Sequence, residues 1–182
     1  MRTARVALAH FDDRETLAEA ARAVASLTHA DELAGDSCVL WSESIRVAIV
    51  DGELDVYAGL DLIPDSRRSQ WRSWLDDAST QSFSRFTLNG FTVTALQAAA
   101  SAILRTPTDD GPTHVRESLY TAIRTGDDTD TVVAIAGGLL GARFGRQALR
   151  GEWVDAVHGW PMIVGRAINA VALTHLMSRA CA

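Results

Sequence analysis

The sequence predicts an all-α fold, an orthogonal bundle of roughly seven helices in a single domain over residues 1–182. Three observations carry that prediction. Apolar residues recur at three- and four-residue spacing in one segment after another. No run alternates apolar and polar residues over several segments, so no sheet is expected. The connections are short, and no linker or shift in composition divides the chain.

Composition sets the outer limits. The chain is 47% hydrophobic and 22% charged, with a net charge of −6. That balance suits a globular domain with a real core and argues against a surface built for nucleic-acid phosphates or anionic lipid. The longest apolar runs, such as VVAIAGGLLGA, fall well short of a membrane span. MRTARVALAHFDD lacks the length and cleavage site of a signal peptide. The two cysteines, Cys38 and Cys181, have no metal-type spacing and point to a reduced, cytoplasmic setting. Cys38 lies in an apolar helix and reads as a small core residue.

Residues 1–13 read as a leading segment, with Asp12 and Asp13 placed to cap the first helix. That helix is RETLAEAARAVASLTH, with Leu17, Ala20, Ala21, Val24 and Leu27 at helical spacing. His29 ends it, where a histidine ordinarily caps or faces water. The second helix runs from Ala34 to Val50, with Asp36 as its cap and Gly52 as its terminator. Val39, Leu40, Ile45, Ala48 and Ile49 share its core face, and Glu43 with Arg46 forms an exposed pair. Pro64, Asp65 and Ser66 turn the chain into SRRSQWRSWLDDAS, whose tryptophans point inward while its arginines face solvent.

Asn89-Gly90 closes a connection ahead of FTVTALQAAASAILRT, a small-residue helix that neighbours can approach closely. TPTDDGPT is the clearest loop, followed by a helix from His114 to Arg124. The segment from Val132 to Leu140 is apolar nearly all round, the pattern of a central helix. Gly137, Gly138 and Gly141 each cost it about 1 kcal/mol relative to Ala, which implies that another backbone packs against it. Trp153 and Trp160 read as core anchors, Pro161 as a break, and a last helix runs from about Ile163 to Met177. His158 and His175 read as surface or packing residues.

The chemistry-bearing stretch is TGDDTDTVVAIAGGLLGARFG, Thr125 to Gly145. Asp127, Asp128 and Asp130 crowd its start, interleaved with the hydroxyls of Thr129 and Thr131. Two readings stand. Hard oxygen donors at the mouth of a buried helix can seat Mg²⁺ or a similar cation. Alternatively, Asp127 or Asp128 simply caps the helix. Spacing alone favours the cap.

GDDTDTVVAIAGGLLGARFG resembles the C-terminal signature of the ADP-ribosylglycohydrolase family, Gly-x-Asp-Thr-Asp-Thr followed by an Ala/Gly-rich helix. MRTARVAL, LTHADELAGDSCVLW, NGFTVTALQAAASAI and WVDAVHGWP resemble further stretches of that family and fall in family order. The resemblance implies an all-α fold with two Mg²⁺ ions, Mn²⁺ in some members, in a cleft among the helices. It implies Asp128, Asp130 and Thr131 as metal ligands and leaves Asp127 at a variable position of the motif. His29 resembles a residue near the bound ADP-ribose, and Asn89, Gly90 and Phe91 resemble a segment bordering the same cleft. No residue is assigned as the catalytic group.

The chain also departs from the family pattern. The Thr-Asp-Asp-Thr motif that supplies the other ligands in the family's N-terminal part is missing from this sequence. Arg5 and Arg150 stand where prolines are common. Met1 reads as an internal methionine of a longer ancestor, and the chain as the C-terminal portion of the domain. Asp128 and Asp130 would bring two negative charges against the four positive charges of two Mg²⁺ ions, half a metal centre. The expected function is Mg²⁺-dependent removal of ADP-ribose from a modified protein or small molecule, incomplete in this chain alone. The alternative is a truncated, non-catalytic remnant or an ADP-ribose- or metal-binding module. A complementary N-terminal half, or self-association through apolar faces left uncovered, is the expected partner.

Overall fold

Capping chemistry sets several of the observed boundaries. The computed structural model describes residues 3–106, 110–163 and 166–180. Among these, nine α-helices and one two-stranded hairpin form. Helix α1 (Ala4–Ala9) lies in the leading segment, where no helix is expected. It has no side-chain cap, and burial of Val6 and Ala7 against neighbouring helices holds it instead. Helix α2 (Arg14–Ser26) begins at Asp13, whose carboxylate accepts from the Glu15 and Thr16 amides.

Helix α3 (Glu32–Val50) begins earlier than expected, and Asp31 rather than Asp36 caps it. Asp36 lies a turn inside α3 and is fully buried. It accepts from Arg22 Nη1 at 2.8 Å, Arg67 Nε at 2.5 Å and Trp71 Nε1 at 3.2 Å. Burial opposes its ionisation, but the hydrogen bonds from Arg67 and Arg22 outweigh burial and hold the carboxyl below its usual range. Arg67 therefore does not simply face solvent. Glu43, expected on the outside, is 1% exposed and takes Arg14 Nε at 3.2 Å and Arg46 Nε at 2.8 Å. In both cases the partner that buries the carboxylate is remote in sequence, so local spacing misplaces it.

Helix α4 (Asp65–Thr80) brings Trp71 into the core, edge-on to Trp74 with ring centroids 5.0 Å apart. Helix α5 (Thr92–Leu104) is the innermost element: every residue from Ala95 to Ile103 is buried. It packs against α3 and α4, and against α6 (Gly111–Arg124) and α7 (Thr129–Phe144). The expected central helix was α7, yet Ala134, Gly141 and Arg143 of α7 are exposed. Alanine explains the exchange, because a helix with little side-chain bulk lets neighbours close in from every direction. A Cβ on Gly138 would meet Ala4 Cβ at 3.3 Å and Ile45 Cδ1 at 3.6 Å, so close packing accounts for that glycine. A Cβ on Gly141 would meet nothing within 4 Å.

The tail departs most from expectation. After α8 (Gly151–Ala156), β1 (His158–Ile163) pairs antiparallel with β2 (Arg166–Asn169). His158 lies opposite Asn169 and Gly159 opposite Ile168. Gly159 and Pro161 disfavour helix here, and the last helix, α9 (Ala170–Ala180), starts only after Asn169. The Asn169 side chain accepts from the Ala172 amide at 3.0 Å and caps α9. Trp153 is half-buried beside Tyr120, with ring centroids 5.9 Å apart. The expectation for the Trp160 side chain, that for Cys181 and the middle of the TPTDDGPT loop lie outside the described residues.

Candidate functional site

Helices α3, α5 and α7 all begin at one place, and a cleft of about 420 Å³ opens there. Their N-cap residues Asp31, Phe91 and Asp128 all line it. The last turn of α2 and the residues just after it complete the rim with Val24, Ala25, Thr28 and His29. One stripe of α3 supplies Ala34, Ser37, Cys38 and Trp41; the facing stripe of α7 supplies Asp128, Thr131, Ala134 and Ile135. Both stripes follow the three- and four-residue spacing of a helix face.

Hydrogen bonds brace the walls. The Ser37 and Thr92 hydroxyls lie 2.7 Å apart and join α3 to the start of α5. Trp41 Nε1 donates to the Ile135 carbonyl at 2.9 Å and joins α3 to α7. The loops ahead of α5 and α7 are tied by Asn89, which is fully buried. Its Oδ1 accepts from the Asp128 amide at 2.8 Å, and its Nδ2 donates to the Phe86 carbonyl at 3.2 Å and the Gly126 carbonyl at 3.1 Å. Asp127 Oδ2 accepts from the Leu88 amide at 2.7 Å.

The cleft thus brings together His29, Asn89, Gly90, Phe91, Asp128 and Thr131 from three distant segments. Asp130 is exposed in the first turn of α7 and does not line the cleft. Asp128 takes the N-cap position, but its side chain makes no capping bond, so the simple cap reading fails for it. His29 is exposed, its Nδ1 2.8 Å from the Thr28 hydroxyl. Phe91 is half exposed and cannot cap α5. Sequence reasoning did not single out Asp31, Ser37, Trp41 or Thr92. The spacing Ala34, Ser37, Cys38, Trp41 is a helical stripe and was the available signal.

The chain matches the ADP-ribosylglycohydrolase sequence profile over residues 1–181. The chain belongs to the ADP-ribosylglycohydrolase family. No curated protein and no solved structure matches it. The all-α architecture agrees with that membership.

Two features bear on the two-ion centre the family resemblance implies. Asp128 and Thr131 present a carboxylate and a hydroxyl to the cleft, the hard donors that Mg²⁺ takes. Yet among the described residues no group of three or more His, Cys, Asp or Glu side chains converges on a metal position. Asp127, the remaining carboxylate of the signature, is engaged by the Leu88 amide. The residues described do not fit a two-ion centre. The charge of the cleft is also unbalanced. Three helix N-termini contribute about half a positive charge each, and the end of α2 about half a negative one. Asp31 and Asp128 add two full negative charges, and no arginine is among the lining residues. A dianionic ligand would enter a cleft of roughly one net negative charge.

Proposed function

We propose that the cleft takes up the ADP-ribosyl group of a modified protein or of an ADP-ribose-containing small molecule. The protein is then a glycohydrolase-type hydrolase whose hydrolytic step needs carboxylates beyond the two this cleft supplies. The observation that carries the reading is the convergence of His29, the Asn89–Phe91 segment, Asp128 and Thr131 on one cleft. These residues come from three segments with no local reason to meet. The size of the cleft and its half-exposed Phe91 suit a ligand with an aromatic base at one end. Its negative balance accounts for an expected dependence on a divalent cation, Mg²⁺ or Mn²⁺, to admit a diphosphate. The second reading, a module that binds ADP-ribose without turnover, is favoured by the sparse carboxylates alone.

Calorimetry with ADP-ribose, with and without Mg²⁺, tests the binding claim, and release of ADP-ribose from an ADP-ribosylated protein tests the chemistry. Binding that strengthens with Mg²⁺ but yields no turnover by this chain alone is the expected result. Turnover by the chain alone sinks the claim that further carboxylates are required. Absence of binding sinks both readings.

A further inference from the structure

Among the described residues, Leu88 (φ +57°) and Asp127 (φ +55°) are the non-glycine residues with left-handed backbone. Such a conformation crowds the Cβ of an L residue and persists only where surrounding contacts over-determine it. Here the two strained residues hold each other, through the 2.7 Å bond from the Leu88 amide to Asp127 Oδ2. Next to them in the chain, Asn89 and Asp128 form the second strut, a 2.8 Å bond from the Asp128 amide to Asn89 Oδ1. The Asn89 amide nitrogen closes the arrangement on the Phe86 and Gly126 carbonyls. Only a side chain that accepts and donates at once can make all three contacts, which a carboxylate or an alkyl group cannot.

We propose that Asp127 and Asn89 are positioning residues: together they clamp the two loops so that Phe91 and Asp128 face one ligand across the cleft. Both amide atoms of Asn89 are engaged between the loops, and Asp127 does not line the cleft, so each acts by holding the loops rather than by touching the ligand. The strain at Leu88 and Asp127 is retained because it sets the angle at which α5 and α7 start. This inference rests on the reading that the cleft binds an ADP-ribosyl group.

The test uses Asp127→Ala, which removes an exposed side chain, and Asp127→Asn, which keeps an acceptor oxygen and drops the charge. ADP-ribose affinity is measured by calorimetry, and exchange of the Leu88 and Asp128 amide protons by NMR, alongside the melting temperature. Asp127→Ala is expected to weaken ADP-ribose about tenfold, as misplacement of binding groups does, and to speed exchange at both amides with little change in melting. Asp127→Asn is expected to restore affinity and protection, which a ligand-contacting charge would not allow. Wild-type affinity in Asp127→Ala, or an Asp127→Asn variant as impaired as Asp127→Ala, overturns the clamp. Should the wild type bind no ADP-ribose, the functional reading falls by itself. The exchange data then still decide the clamp: lost protection in Asp127→Ala with rescue in Asp127→Asn upholds it, and unchanged protection overturns it.

Discussion

Replacing Asp36 with Asn separates a helix cap from a buried ionic hub. Asparagine caps a helix about as well as aspartate, so a cap at this position would change stability by no more than about 0.5 kcal/mol. The structure leads to a different magnitude. Asp36 is 0% exposed and accepts hydrogen bonds from two guanidinium groups and an indole. Removing one member of a fully buried pair costs about 3–5 kcal/mol, whereas an exposed pair is worth about 0–1. The arginines are 34% and 24% exposed, so water recovers part of the loss. The net cost comes to about 3 kcal/mol, because the Asn NH₂ would also meet donors rather than acceptors. For a chain of this length that lowers Tm by about 6–12 °C. The volume is unchanged, so no cavity contributes. Thermal melts by circular dichroism, with urea midpoints at constant m, read the effect. A Tm within about 2 °C of wild type would refute the reasoning.

Three further outcomes are expected. Because the folded-state pKa of Asp36 lies below its unfolded value, the stability it contributes is complete above the ordinary carboxylate range and is lost as pH falls from there through the folded pKa. The stability gap between wild type and Asp36→Asn should therefore narrow below about pH 4, as read by urea melts across a pH series; a gap that widens there would contradict the sign. Gly141→Ala should raise stability by about 0.5–1 kcal/mol, since its Cβ enters open space. Gly138→Val should lower stability by forcing α1 off α7, and equal effects at the two glycines would count against the packing described. Asp128→Asn should weaken Mg²⁺-dependent ADP-ribose binding about tenfold, the worth of one charge-assisted contact. Asp130→Asn should have a smaller effect, since Asp130 does not line the cleft, and equal losses by calorimetry would return Asp130 to the site.

The helices themselves were largely legible. The apolar spacing of Leu17, Ala21, Leu40, Ile45, Leu96 and Ile103 marks faces that are indeed buried. The cap at Asp13 is equally local. The hairpin at 158–169 was not, because two strands with an irregular register carry too little alternation to stand out. Of the site, the signature residues Asp128 and Thr131 and the segments at His29 and Asn89 were readable as motifs. Their meeting around one cleft was not readable from spacing.

The division has a single physical cause. Periodicity, capping and turn chemistry act over a few residues, so a linear string carries them: it specified a helical chain and an acidic helix start at Asp128. Which helices become neighbours depends on packing across the whole bundle. That packing made α5 rather than α7 the core helix, turned Asp36 from a cap into a hub for Arg22 and Arg67, and set Asn89 against the Asp128 amide. It also took Asp127 out of the acidic cluster by giving its carboxylate to Leu88. Contacts between residues 31 and 39 positions apart leave no mark on local pattern, and they decide what each carboxylate is for.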